Sequence, residues 1–318
     1  MIARSHYVIA LALTLALVAG LTVIWPNPGW EPPVHMNIGA VDGETATFIA
    51  VGDFGTGGAS QVDVARGMER VCERNGCDFV IGLGDNFYPD GLDSRSDKKF
   101  RTNFEEPFRG LNVPFFMVLG NHDVEEAESS RSQIAYSSDR WKLPGRWYSF
   151  QVGPVRFVAL DTNPLSGDGD QLAWIKRTLS APTGAAWTLA FGHHPLFSNG
   201  AHGDASGSNG EWLHAAICRS GGFDLYLAGH DHDLQWLAAQ PESCKQTEFI
   251  VSGAGAIPRA LETSENAAHF MRGQTLGFFW FEATASALTG RAYDAEGNEL
   301  FERTIDVRPA ETAVIGAP

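Results

Sequence analysis

Positive charge is what this sequence has least of: its 318 residues carry 23 Lys and Arg against 38 Asp and Glu, a formal net charge of -15. That balance excludes a polyanion-binding face, which needs clustered cations to neutralise phosphates, so no nucleic acid polymer is expected as a partner. If such a chain handles phosphate, the local positive charge has to come from bound metal. Cysteine is scarce as well, four in all with no Cys-x-x-Cys spacing, which argues against a thiolate zinc site. No Gly-x-Ser-x-Gly elbow is present to offer a nucleophilic serine. The stretch Gly52-Asp53-Phe54-Gly55-Thr56-Gly57-Gly58 follows an apolar run but lacks the spacing of a dinucleotide fingerprint. Internal repeats are missing too.

What is present is ample apolar material, 44% of residues, for one large domain or two small ones. The run Tyr7 to Trp25 carries no charge, follows Arg4 and His6, and reads as an address rather than as part of the fold. Its length suits either an uncleaved membrane anchor or a signal peptide cut near Val18-Ala19-Gly20. Both place the domain outside the cytoplasm, in a periplasmic, secreted or membrane-anchored form, and the positive-inside rule agrees. Residues 1–25 are therefore expected to be leader or anchor, 26–44 a Pro/Gly linker, 45–308 the folded domain and 309–318 a flexible tail. In that compartment disulfides persist. Cys72 is expected to pair with Cys77 across Asn75-Gly76, and Cys218 with Cys244, tying a helix to the strand region after the last His cluster.

From Thr45 onward short apolar runs alternate with helical patterns. Strands are expected at Phe48–Val51, Phe79–Leu83, Phe115–Leu119, Val155–Leu160, Thr188–Phe191, Leu225–Ala228 and Phe249–Val251. Helices are expected at Gln61–Glu73, Gln133–Arg140, Gln171–Leu179 and Glu211–Cys218. After Gly277 the pattern becomes a strand meander through Phe278–Phe281, Gly290–Tyr293 and Leu300–Ile305. The class is α/β, and two packed sheets would accommodate it.

Nearly every apolar run ends in a Gly-flanked cluster of metal-capable side chains. The five are Gly52-Asp53-Phe54-Gly55, Gly84-Asp85-Asn86-Phe87-Tyr88, Gly120-Asn121-His122-Asp123, Gly192-His193-His194-Pro195 and Gly229-His230-Asp231-His232. Ligands of open α/β sheets gather at the carboxyl ends of strands, so the five clusters are expected to form one site. Taken singly, each is what a turn also uses.

In these motifs the chain resembles the purple acid phosphatases, particularly the tartrate-resistant type, within the calcineurin-like metallophosphoesterases. The likeness runs from about Thr47 to Val307 and includes Ser132-Gln133-Ile134-Ala135-Tyr136-Ser137 and Gly229-His230-Asp231-His232-Asp233-Leu234-Gln235. It implies a sandwich of two mixed β-sheets flanked by helices, with a dimetal site at the strand ends. Position by position it implies that Asp53, Tyr88 and His232 hold Fe(III), that Asn121, His193 and His230 hold a divalent ion (Fe(II), Zn or Mn), and that Asp85 bridges them. Anionic oxygens suit the harder trivalent ion, neutral Asn and His the divalent one. Tyr88 discriminates: other metallophosphoesterases place a His two residues after the first Asp, where this chain has Gly55. Asp53, Asp85 and a Tyr88 phenolate leave a ferric–divalent pair net positive, a better trap for phosphate than two divalent ions would be.

The function implied is hydrolysis of phosphate monoesters at acidic pH by metal-activated hydroxide, with inversion at phosphorus and no phospho-enzyme. The resemblance places His122 and His202 beside the leaving group as proton donors. Asp123 is expected to orient His122. Between His193 and His194, the Gly-His-x-Pro pattern favours His193. A phosphodiesterase or nucleotidase on the same centre is the alternative, and a non-catalytic metal-binding module the rival from another class. Between Asp161 and Gln171 the chain is shorter than its mammalian relatives, which implies a more open rim.

Overall fold

The computed structural model describes residues 34–37, 44–163, 169–238, 244, 247–263 and 265–308. The leader, the tail, most of the expected linker and residues 164–168 of the shortened rim loop lie outside these. Among the described residues no helix is long and apolar enough to cross a membrane.

Two mixed sheets pack face to face. One has seven strands in the order β15-β14-β13-β2-β3-β4-β5 and the other eight, β1-β6-β7-β8-β9-β11-β10-β12. In the first, β2 (Thr45–Val51), β3 (Phe79–Gly82), β4 (Phe115–Met117) and β5 (Trp141–Lys142) run parallel. The antiparallel meander β13 (Gly277–Thr284), β14 (Ala287–Asp294) and β15 (Glu299–Asp306) joins β2 at the pair Phe281 and Phe48. The second sheet has β7 (Val155–Ala159), β8 (Trp187–Phe191), β9 (Leu225–Ala228) and β11 (Glu248–Ser252) parallel in its middle. Around them lie β1 (Val34–Asn37), β6 (Tyr148–Val152), β10 (Leu234–Leu237) and β12 (Ala268–Arg272).

Of the parallel strands, β3, β4, β7, β8 and β9 are buried along their whole length, which is why they read as apolar runs rather than alternating ones. Phenylalanines interlock the layers: Phe48 of β2 lies 5.3 Å from Phe79, 5.0 Å from Phe281 and 5.2 Å, edge-on, from Phe157 of the opposite sheet. Truncating so fully buried a ring costs about 3–5 kcal/mol. Helix α1 (Ala59–Asn75) covers β13 and β14. The other sheet is covered by α4 (Gly169–Ser180) and α5 (Gly207–Leu213), the latter continuing as wider π-type turns through Arg219, with Trp174, Ile175, Leu213 and Ile217 in a second apolar cluster. A short helical turn, α2 (Asn121–Val124), and helix α3 (Ala127–Ala135) follow β4. Both expected disulfides are formed, Cys72–Cys77 joining the last turn of α1 to the residues just after it and Cys218–Cys244 between the α5 segment and the approach to β11.

Three stretches differ from expectation. The helix expected at Gln133–Arg140 instead ends at Ala135, because Tyr136 takes extended backbone and stacks on Phe100 at 3.7 Å while Trp141 pairs beside Phe115 as an edge strand. Aromatic packing there outweighs helical spacing. Strands β6, β10 and β12 carry too many polar residues to stand out as apolar runs. The linker expected at 26–44 contains β1, whose backbone pairs in parallel with Tyr148–Gln151.

Candidate dimetal centre

The seven residues expected to bind metal meet at one end of the sandwich, in the loops that leave β2, β3, β4, β8 and β9. Strand alternation cannot aim so many side chains at one point, and the backbone makes up the difference. Asp53, Asp85 and His230 each follow a glycine and each take a left-handed conformation, with φ of 59°, 52° and 68°. Residues other than glycine rarely adopt it, and such conformations cluster where the surrounding structure imposes them at functional sites. Glycine is required for room at Gly229, where a Cβ would stand 2.5 Å from Asp53 Oδ2 and 3.0 Å from the Leu83 carbonyl oxygen.

The donors form two groups joined by one carboxylate. Asp85 Oδ2 accepts from Tyr88 Oη at 2.9 Å, and Tyr88 Oη also lies 3.3 Å from Asp53 Oδ1 and 3.3 Å from His232 Nε2. Asp85 Oδ1 faces the other way and lies 3.5 Å from His193 Nε2, which is 3.0 Å from Asn121 Oδ1 and 3.2 Å from His230 Nδ1. His193 donates its Nδ1–H to the Leu83 carbonyl at 2.8 Å, so its Nε2 carries a lone pair. That lone pair faces a carboxylate oxygen and an amide oxygen, neither of which has a proton to share. Acceptors turned on one another in a buried cluster fit a cation between them. Ligand atoms of Asp53, Asp85 and His193 all lie within 4.8 Å of one another.

Electrostatics point the same way. Burial, then the neighbouring Asp85, pushes the Asp53 carboxyl well up, and burial also raises Asp85. The Tyr88 phenol is raised by burial and by both carboxylates. Burial holds His193 and His230 neutral, and burial together with Arg259 pushes His232 down to about 4. Acids that resist ionisation beside neutral imidazoles are relieved together when positive charge arrives. The donor set fits a pair of metal ions.

Two further imidazoles flank the cluster. His122 lies 4.7 Å from the Tyr88 ring and donates from Nδ1 to the Pro89 carbonyl at 2.5 Å, with its Nε2 4.0 Å from Asp85 Oδ2. His202 stacks on His230 at 4.1 Å, and its Nδ1 and backbone N–H both reach Asp231 Oδ1 at 2.8 Å. His194 bonds Thr162 Oγ1 at 3.0 Å, and Thr162 also accepts from the backbone N–H of both histidines; a ring nitrogen of His194 nonetheless lies within 4.8 Å of those of His193 and His230. Asp123 does not touch His122. It accepts from the backbone N–H groups of Asn86, Phe87 and Gly120 and from Gln133 Nε2, clamping two ligand loops together; burial raises its carboxyl to about 7.

Two residues of this neighbourhood were not foreseen. Asp231, fully buried, anchors His202 and accepts from Ser198 Oγ. Its signal lay in the His230-Asp231-His232 alternation, which sends the middle side chain opposite to its neighbours. Arg259, whose Nη1 stands 3.5 Å from His202 Nε2, follows no motif at all.

Comparisons with known proteins give the family. A family model described as calcineurin-like phosphoesterase matches residues 46–234. Tartrate-resistant acid phosphatase type 5 of Mus musculus is 31% identical over 335 residues, covering 91% of this chain and 97% of the mouse protein. Purple acid phosphatase 17 of Arabidopsis thaliana is 32% identical over 237 residues, 67% of this chain and 69% of that one. In fold, the chain is similar to GAP50, described as the anchor in the inner membrane complex of Plasmodium, with a TM-score of 0.72 at 20% identity over 85% of this chain and 91% of that one. The chain belongs to the calcineurin-like phosphoesterases and, among them, to the purple and tartrate-resistant acid phosphatases.

Proposed function

We propose that this protein is an acid phosphatase that hydrolyses phosphate monoesters at a dimetal centre, with Asp53, Tyr88 and His232 holding Fe(III), Asn121, His193 and His230 holding a divalent ion, and Asp85 bridging. The observation that carries this reading is the division of Asp85, one oxygen turned to each donor group. Relatives named as acid phosphatases along most of the chain support the reaction class. When bound, the metal pair supplies positive charge that favours in-line displacement at phosphorus by water.

The chain's own residues supply the rest. His202, fixed through Nδ1 by Asp231, presents Nε2 at the mouth of the site and in its protonated form gives that proton to the departing oxygen. His122 presents its own Nε2 on the Tyr88 side, where a protonated ring stabilises phosphoryl charge. Two disulfides accord with an extracytoplasmic location, and residues 1–25 as leader or anchor accord with the same route. The test is metal analysis of purified protein joined to a pH profile on phenyl phosphate. Expected are two metals per chain including iron, a visible tyrosinate-to-iron band, and hydrolysis strongest at acidic pH. Iron-replete protein without that band would remove the ferric assignment, and metal-loaded protein inert towards phosphate esters would reduce the chain to a binding module.

A further inference from the structure

We infer that Arg259 is a specificity-determining residue that binds a negative charge carried by the leaving group, so that the site favours phosphate esters of anionic rather than neutral alcohols; the inference rests on the phosphatase reading above. Arg259 is exposed at the mouth, whereas the donors it overlooks are buried or half-buried. Its Nη1 stands 3.5 Å from His202 Nε2, and among the described residues no carboxylate lies within ion-pair distance of its guanidinium. The nearest group is thus an imidazole nitrogen, which does not neutralise it. A guanidinium that is charged, unpaired and aimed into the space before a phosphoester site is placed for a carboxylate or a second phosphoryl group.

Position decides which part of the substrate it meets. The reacting phosphoryl group belongs at the buried donors, and what projects outward past His202 is the group that departs. Ile257 and Met271, the large apolar side chains most exposed among the described residues at 40% and 39%, lie close in sequence to Arg259 and to Gln274, whose backbones are hydrogen-bonded to each other. Met271 Sδ touches Asn199 Nδ2 at the base of the His202 loop, and Arg259 accepts through its carbonyl from Gln274 N at 2.6 Å. A leaving group with an apolar body and an anionic end matches this rim. The protein's net charge of -15 repels such a substrate at long range, which leaves its capture to a local cation.

The loop does not depend on the side chain. Arg259 N donates to the His232 carbonyl at 2.8 Å, and its own carbonyl holds Gln274, so both tethers are backbone and survive substitution. The experiment compares phenyl phosphate with 4-carboxyphenyl phosphate in metal-loaded wild type, Arg259→Ala and Arg259→Lys. Arg259→Ala should lower kcat/KM for the carboxylated ester about tenfold or more relative to its effect on phenyl phosphate, the loss typical of a charge-assisted contact. Arg259→Lys should keep an intermediate preference, since it retains charge without the fork. Calorimetric affinities of phenylphosphonate and 4-carboxyphenylphosphonate, which cannot turn over, should show the same change of ratio. A ratio unaltered within twofold, with both esters falling equally, overturns the inference and assigns Arg259 to the reacting phosphoryl group or to the loop. A wild type inert towards both esters overturns the phosphatase reading instead.

Discussion

The two sheets contribute different chemistry to one site. Every oxygen donor, Asp53, Asp85, Tyr88 and Asn121, leaves a strand of the seven-stranded sheet, and every nitrogen donor, His193, His230 and His232, leaves a strand of the eight-stranded one. Neither sheet could hold both ions, because each proposed half-site takes ligands from both. The centre therefore exists only where the sandwich is closed, and bound metal is in turn a brace between its layers. The difference teaches that oxygen and nitrogen donors are sorted by sheet, while each proposed half-site draws on both sheets.

The comparison can be broken hardest at the residue that joins the halves. Asp85→Ala should remove both ions together and lower kcat/KM by at least about 100-fold, more than loss of an outer partner does; metal analysis that still finds two ions per chain would sever the bridge from the argument. Chelation of the native protein should lower its melting temperature by roughly 10 °C, the scale expected when a ligand bound far above its Kd is withdrawn from a domain of this size. Scanning calorimetry before and after metal return checks that.

Single-sheet substitutions sharpen the contrast. His193→Ala, on the nitrogen side, should lose the divalent ion and roughly 100-fold in activity while the visible iron band stays. Tyr88→Phe, on the oxygen side, should do the reverse to the spectrum, abolishing the band whatever iron remains. The smallest effect is expected at Asp231→Asn, a positioning residue: kcat should fall about tenfold with KM little changed, and combination with His202→Ala should add nothing. Independent, additive losses in that cycle would show that Asp231 acts elsewhere.

Much of the site was legible because each ligand cluster directly follows a buried strand, and burial on both faces leaves an unmistakable apolar run. The five clusters were readable in that way, and the structure brings them to one end of the sandwich; the choice of the seven donors within them, and of His122 and His202 beside them, came from family likeness rather than spacing. What the sequence hid was whatever depends on non-local approach. Tyr136 breaks a helical pattern because Phe100 arrives from elsewhere in the chain. Asp123 was assigned to its neighbour His122, yet it serves the backbone of a loop some 37 positions away. Arg259 reaches His202 across a separation of 57 residues, without motif or periodicity to announce it. Strands β6, β10 and β12 were missed because Ser149, Gln151, Gln235, His269 and Arg272 interrupt their apolar runs, although only β12 lies at a sheet edge.

Gly52 and Gly229 meet almost backbone to backbone, a Cβ on the former standing 3.2 Å from the Cα of the latter. The seam between the layers thus has less clearance than one methyl group. A homologue with alanine in place of Gly229 would have to displace the Asp53 carboxylate, whose Oδ2 stands 2.5 Å from that Cβ, and one with alanine in place of Gly52 would have to part the two loops by a few tenths of an ångström. Searches for working members of this group should weigh those two silent positions as heavily as any carboxylate or imidazole.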